Sequence, residues 1–151
     1  MFKLSDVLER HHVIPGLHAN DKIGLIDDLA RRAAISLKLN DADIRAALLA
    51  REQLGSTGVG HGIAIPHARI EGLDKPFGMF ARIEPPVDFD AIDGERVDLV
   101  FLLLTPAQAS GAHLGALAAI SRKLRDTKTA QAIRQAENAR SIFSALTEET
   151  R

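Results

Sequence analysis

Residues 97–104 read VDLVFLLL, apolar at every position except Asp98, and Pro106 closes the run. An apolar run of this length is far too short to cross a bilayer. A strand that is apolar on both side-chain sets must be covered on both faces, as central strands are when helices pack on either side of a sheet. The rest of the chain therefore has to supply helices for two faces, and its patterning does so.

The first third reads as helical. Asn20 is placed to cap a helix, with Asp21 in its first turn. Ile23, Ile26, Ala30, Ala33 and Leu37 follow at helical spacing. Asn40 or Asp41 caps a second helix, with Ile44, Ala47 and Leu48 as its apolar stripe and Gly55 as its stop. The middle reads as strands. Ile63-Ala64-Ile65 is a short apolar run closed by Pro66. Phe77, Met79, Ala81 and Ile83 alternate as in a half-buried strand that Pro85-Pro86 ends. Asp93-Gly94 is a turn. The last third returns to helices. Ser110 caps one with His113, Leu117, Ile120 and Leu124 on its stripe. Ala130 and Ile133 mark a short one, and Asn138 caps a last one carrying Ile142, Phe143 and Leu146. The expected class is α/β: an α/β sandwich with a mixed parallel and antiparallel sheet flanked by helices, folded as a single domain over 1–151. Some antiparallel pairing follows because the link between the second and third strands is too short for a crossover helix.

Composition excludes several functions. The net charge is -1 and no basic excess points to nucleic acid. With no cysteine, disulfides and thiolate metal sites are out. Tryptophan and tyrosine are absent, so base or sugar stacking would fall to six phenylalanines and the histidines. The opening MFKLSDVLERHHV lacks the apolar stretch of a signal peptide. A cytoplasmic protein with no membrane insertion is expected.

The segment REQLGSTGVGHGIAIPHAR, residues 51–69, holds four glycines, two histidines and two arginines around a strand. Pro66 fixes its own φ and pushes Ile65 into an extended conformation. His67 is then expected just past a strand end on a stiff backbone, where a nucleophile loses little entropy on attack. A histidine in a turn with no chemical role fits that local pattern equally well. Arg51 falls seven positions after Ile44 and continues a buried stripe, so its guanidinium needs a partner, although a snorkelling arginine at a helix C-terminus is the commoner case. His113 sits on an apolar stripe in the first turn of its helix, where a satisfied core histidine is the frequent outcome and an anion site the alternative. Together these residues suit a phosphoryl group.

Other chemistries lack their motifs. There is no G-x-x-x-x-G-K-[ST], no G-x-G-x-x-G, no H-E-x-x-H and no G-x-S-x-G. His61 and His67 are separated by a strand, with no carboxylate near them in sequence, so no metal is expected there. A metal-dependent hydrolase using His61, His67 and His113 is a minor alternative.

The string GIAIPHA, preceded by Glu52 and Val59-Gly60, resembles the active-site signature of the fructose/mannitol-type enzyme IIA proteins of the bacterial phosphotransferase system. Arg51-Glu52 followed by Leu54-Gly55-Ser56-Thr57-Gly58, and Phe89-Asp90-Ala91-Ile92-Asp93 with Val97-Asp98-Leu99, are similar to the nitrogen-regulatory branch. The resemblance spans essentially the whole chain. It implies that His67 is the phosphorylated residue, that His113 in its AHL context is the second active-site histidine, and that Arg51 is the active-site arginine. Ser56, Thr57 and His61 are read as phosphate-binding or nearby. His61 stands where the regulatory branch often has asparagine, and Ala68-Arg69 where Gly-Lys is common.

The implied reaction is attack by neutral imidazole, through Nε2, on a phosphohistidine of an HPr-like carrier, in line and through a loose transition state. It calls for no cofactor. The implied role is a regulator in nitrogen, carbon or potassium signalling, with a sensor kinase or potassium-transport protein as target. The alternative is an enzyme IIA component that passes phosphate to a carbohydrate permease. The lack of a fused permease or second carrier domain and the FDAID stretch favour regulation.

Overall fold

The structure is a computed structural model that describes residues 2–108 and 112–148, with only the backbone at 112 and 113. The 97–104 run becomes strand β6 (Val97–Pro106), the centre of a six-stranded sheet. From Leu99 to Leu104 its side chains divide by parity. Val100, Leu102 and Leu104 enter one core, and Leu99, Phe101 and Leu103 enter another on the opposite face. The first core is closed by α1 (Lys22–Leu37) and α2 (Asp41–Gln53). The second is closed by α3 (Ala112–Arg125), α4 (Thr127–Gln135) and α5 (Ala139–Thr147). The result is the three-layer α/β sandwich that a strand apolar on both faces demands.

The other strands are β1 (Val13–Leu17), β2 (Gly58–Gly60), β3 (Ile63–Ala64), β4 (His67–Ile70) and β5 (Phe77–Val87). The sheet runs β1-β5-β6-β3-β2, and β4 also pairs with β6. Strands β3 and β4 are parallel to β6, β1 is parallel to β5, and β5–β6 and β2–β3 are antiparallel. The short β5–β6 link thus gives the antiparallel pair expected of it.

Five local expectations shift. Asp21, not Asn20, caps α1, its carboxylate accepting the Gly24 N–H at 2.7 Å. The buried stripe is Leu25, Ile26, Leu29, Ala30 and Ala33, which rotates Ile23 outward to 52% exposure. Strand β5 is buried on both faces through Phe80 and Gly78, because Gly78 leaves room for Phe101; a Cβ there would sit 3.0 Å from that ring. It also continues past Pro85-Pro86 to Val87, with its β6 pairing interrupted between Arg82 and Val87, where two prolines have no N–H to give. Finally, β1 lay unseen in a stretch read as helical. Its sequence, VIPGL, carries a proline and a glycine that argue against a strand, yet an edge strand tolerates both. The Pro15 carbonyl accepts from Arg82 Nε at 2.8 Å.

Asn40 and Asn138 cap α2 and α5 as expected. Ser110 lies outside the described residues. Just before β1, a 3-10 turn (Arg10–His12) buries the His12 ring against Phe77, centroids 4.8 Å apart. Among the described residues no helix is long and apolar enough to cross a membrane.

Candidate functional site

Strands β3 and β4 are one strand in register. Ile63 pairs with Leu99, Ala64 with Val100 and His67 with Leu103. Pro66 breaks only the hydrogen-bond ladder, since it has no N–H; its carbonyl still accepts from Leu103 N at 3.0 Å. His67 is therefore the first residue of β4, inside the sheet, and not beyond a strand end. The extended backbone that proline imposes on Ile65 turns the Ile65 carbonyl to His67 Nδ1 at 2.8 Å.

Arg51 approaches the same ring from the last turn of α2. Its Nε donates to His67 Nε2 at 3.2 Å and its Nη1 to the Gly55 carbonyl at 2.8 Å. Gly55 makes the second contact available by adopting φ 150 just after the helix ends, a region that favours glycine. A guanidinium has only donors and a carbonyl oxygen only accepts. The two contacts to His67 therefore assign one tautomer: Nδ1 carries the proton and Nε2 the lone pair. Half-buried, with both nitrogens held, the ring presents Nε2 as its nucleophilic atom.

The ring opens into a pocket of about 400 Å³ between the end of α2, β4, the end of β6 and the start of α3. Among the described residues, Arg51, His67 and Arg69 are its charged or ionisable lining, and no carboxylate lines it. Thr105 and the apolar Ala47, Leu54 and Leu114 complete much of the wall. Positive charge in an apolar frame suits a small anion brought by a protein surface.

Of the six residues singled out from sequence, His67 and Arg51 meet. His113 lies in the first turn of α3, and Leu114 and Leu117 of that turn and the next line the pocket. Its side chain lies outside the described residues. Ser56, Thr57 and His61 are not brought to the pocket. Ser56 Oγ donates to the Phe89 carbonyl at 2.8 Å and accepts from Gly58 N at 3.0 Å. Thr57 is buried, its N–H and hydroxyl both given to the Glu52 carboxylate. His61 sits in the β2–β3 turn, its N–H on Asp93 Oδ2 at 2.9 Å. The next residue, Gly62, accepts from Asp98 and Leu99, whereas His67 pairs with Leu103. Four residues of strand put them roughly 13 Å apart along the sheet.

Sequence reasoning quoted Glu52 within the resemblance but gave it no role. Its side chain is 5% exposed, paired with Lys22 Nζ at 2.8 Å, and it ties residue 57 to α2 beside Arg51. The lysine lies thirty positions earlier on another helix, so no local pattern announces the pair. Thr105, buried at the end of the β6 run and lining the pocket, was missed; its hydroxyl at the end of an apolar run was the one signal available.

The comparisons with known proteins give the family of the chain. Residues 6–149 match the family model described as the phosphoenolpyruvate-dependent sugar phosphotransferase system, EIIA 2. The chain belongs to that family. Within it, the chain is 43% identical over 143 residues to the nitrogen regulatory protein of Bradyrhizobium diazoefficiens, covering 95% of this chain and 94% of that one. It is 36% identical over 147 residues to the nitrogen regulatory protein of Pseudomonas aeruginosa, covering 97% and 96%. The crystal structure of nitrogen regulatory protein IIA-Ntr from Neisseria meningitidis superposes with a TM-score of 0.90 at 34% identity, over 95% of this chain and 99% of that one. The nitrogen-regulatory likeness read from the sequence is thus the one these relatives carry.

Proposed function

We propose that this protein is a regulatory phosphocarrier in which His67 Nε2 accepts a phosphoryl group from the phosphohistidine of an HPr-like donor, folded as one domain over 1–151 and working in the cytoplasm. The observation that carries the reading is the pair of contacts that leave the lone pair on Nε2: Ile65 carbonyl on Nδ1 and Arg51 on Nε2. In the transfer, the donor's N–P bond breaks as the Nε2–P bond forms. Positive charge then builds on the His67 ring, and the Ile65 carbonyl at Nδ1–H stabilises it. Arg51, losing the lone pair it held, turns its N–H to the equatorial phosphoryl oxygens, where charge-assisted hydrogen bonds are stronger. His113, from the first turn of α3, is assigned to the same oxygens, and the helix N-terminus favours negative charge there.

Regulation is preferred to sugar transfer because the similar relatives named above are nitrogen regulatory proteins. Phosphorylation adds about -1.5 to -2 charges to a pocket framed by apolar side chains. A target protein docking on that face, of the sensor-kinase or potassium-transport kind, binds the unphosphorylated form; His67→Asp weakens that binding and His67→Ala keeps it. The test of the acceptor is phosphorylation with phosphoenolpyruvate, enzyme I and an HPr-like carrier, read by intact mass. Wild type gains one phosphoryl group, acid-labile as a phosphoramidate, and His67→Ala gains none. Phosphorylation of His67→Ala would overturn the assignment. Rescue of fructose or mannitol uptake in a strain lacking its own enzyme IIA would favour the transport reading.

A further inference from the structure

Away from the pocket, on the approach to edge strand β1, three metal-ligating side chains converge. Glu9, His11 and His12 each offer one ligand atom, and these atoms all lie within 4.8 Å of one another. His11 Nε2 is 3.4 Å from Glu9 Oε2, and His12 Nδ1 is 3.7 Å from the same oxygen. A tetrahedral Zn²⁺ with ordinary bonds to nitrogen and oxygen sets its ligand atoms about 3.3 Å apart. Two of the three separations are already near that value, and the exposed His11 and Glu9 can move to close the third.

An independent observation concerns His12. The residue is 7% exposed, and its Nδ1 is buried without a hydrogen-bond partner. Buried ring nitrogens are ordinarily satisfied, so an orphan requires a reason. The glutamate oxygen, 3.7 Å from Nδ1, is too far for a hydrogen bond. The other nitrogen, Nε2, lies 3.2 Å from Ser36 Oγ on α1, and Phe77 packs against the ring. With Nε2–H donated to Ser36, Nδ1 keeps its lone pair. This is the second-sphere hydrogen bond that fixes the tautomer and orientation of metal-bound histidines.

We propose that Glu9, His11 and His12 bind one Zn²⁺-class cation, with His12 Nδ1 as the pre-positioned ligand and solvent in the fourth position. Two imidazoles select zinc, cobalt, nickel or copper over magnesium and calcium, which prefer oxygen. The bound ion fastens the Arg10–His12 turn through His12 to α1 and the sheet. Strand β1 is three strand spacings from β4, roughly 14 Å, so the site is separate from the His67 pocket and does not depend on its assignment.

The test is titration of the full chain, freed of metal by chelation, with CoCl₂ followed by visible absorption and with ZnCl₂ followed by calorimetry. Wild type takes up one equivalent at this site, with the intense d–d bands of four-coordinate cobalt, and Zn²⁺ raises the thermal midpoint. His11→Ala and Glu9→Gln change exposed side chains and leave the fold intact. Each weakens binding by on the order of 10- to 100-fold, the loss seen even for outer-sphere partners of a metal site. His67→Ala keeps the site. Absence of cobalt binding, unchanged affinity in both His11→Ala and Glu9→Gln, or loss of the bound ion in His67→Ala would overturn the proposal.

Discussion

Strand β6 has an arginine–histidine cluster at each end, and the two differ in what neutralises the arginine. Near Val97, Arg134 of α4 donates Nε and Nη2 to the two oxygens of Asp98, both at 2.8 Å, and Nη2 also to the His61 carbonyl at 2.9 Å. The hydrogen bonds to Asp98 raise the guanidinium above its usual value, so that charge is fully committed. Near Leu103, Arg51 touches a neutral imidazole nitrogen and one carbonyl, with no carboxylate partner among the described residues. Arg134 is thus closed in a structural clasp with Asp98 at one end, while at the other Arg51 rests on neutral partners, as the proposed phosphoryl site requires. What separates them is the aspartate, together with the way each histidine is met, by its backbone carbonyl at His61 and by its ring nitrogen at His67.

The comparison is broken most directly by removing each arginine. Arg51→Ala should fold and transfer phosphate slower by on the order of 10²-fold, since it deletes one positioned charge at the reacting group. Arg134→Ala should transfer at the wild-type rate. Quench-flow transfer from the donor carrier measures both, and equal losses would erase the distinction. In stability the order reverses. Arg134→Ala should lose about 1 kcal/mol, as a partly exposed ion pair is screened by solvent, and urea denaturation reads it.

The largest stability effect should come from Glu52, which supports the end that carries the site. Glu52→Ala leaves Lys22 nearly buried without its close partner and frees the Thr57 hydroxyl. A loss on the order of 2 kcal/mol is expected in urea denaturation, below the full cost of breaking a wholly buried pair. A loss within error would show that the network is not what anchors residues 54–57.

How much of this was legible in the sequence depended on range. Asn40 and Asn138 were legible as caps because a cap is made with a residue two or three positions away. The VDLVFLLL run was legible because its apolar parity specifies two faces by itself. His67 and Arg51 were legible through an anomaly each, a post-proline histidine and an arginine on a buried stripe. His61 misled because closeness in sequence was taken for closeness in space, while β3 carries the chain along the sheet before His67 is reached; Ser56 and Thr57 do lie near, next to the Gly55 that Arg51 holds, but their hydroxyls go to Phe89 and Glu52. Glu52 with Lys22, and β1 with its Pro15, were invisible because their reasons lie in other elements.

The smallest effect sharpens the contrast by pH. Asp93, at the His61 end, accepts backbone N–H groups from His61 and Glu95, and these hold its carboxyl below the ordinary 3.8. A carboxyl depressed in the folded state contributes stability that is fully present above its unfolded value and is lost as pH falls through its folded one. Asp93→Asn should therefore narrow its stability difference from wild type as the solution is acidified below about pH 4, followed by urea midpoints.

The account rests on the lone pair of His67 residing on Nε2, with Nδ1–H held by the Ile65 carbonyl. Long-range proton–nitrogen correlation spectra of protein labelled with ¹⁵N-histidine observe both states. Before phosphorylation the His67 ring should show the protonated Nδ1, unprotonated Nε2 pattern, and afterwards the phosphorus coupling should fall on Nε2. Coupling to Nδ1, or a free ring protonated at Nε2, would contradict the account.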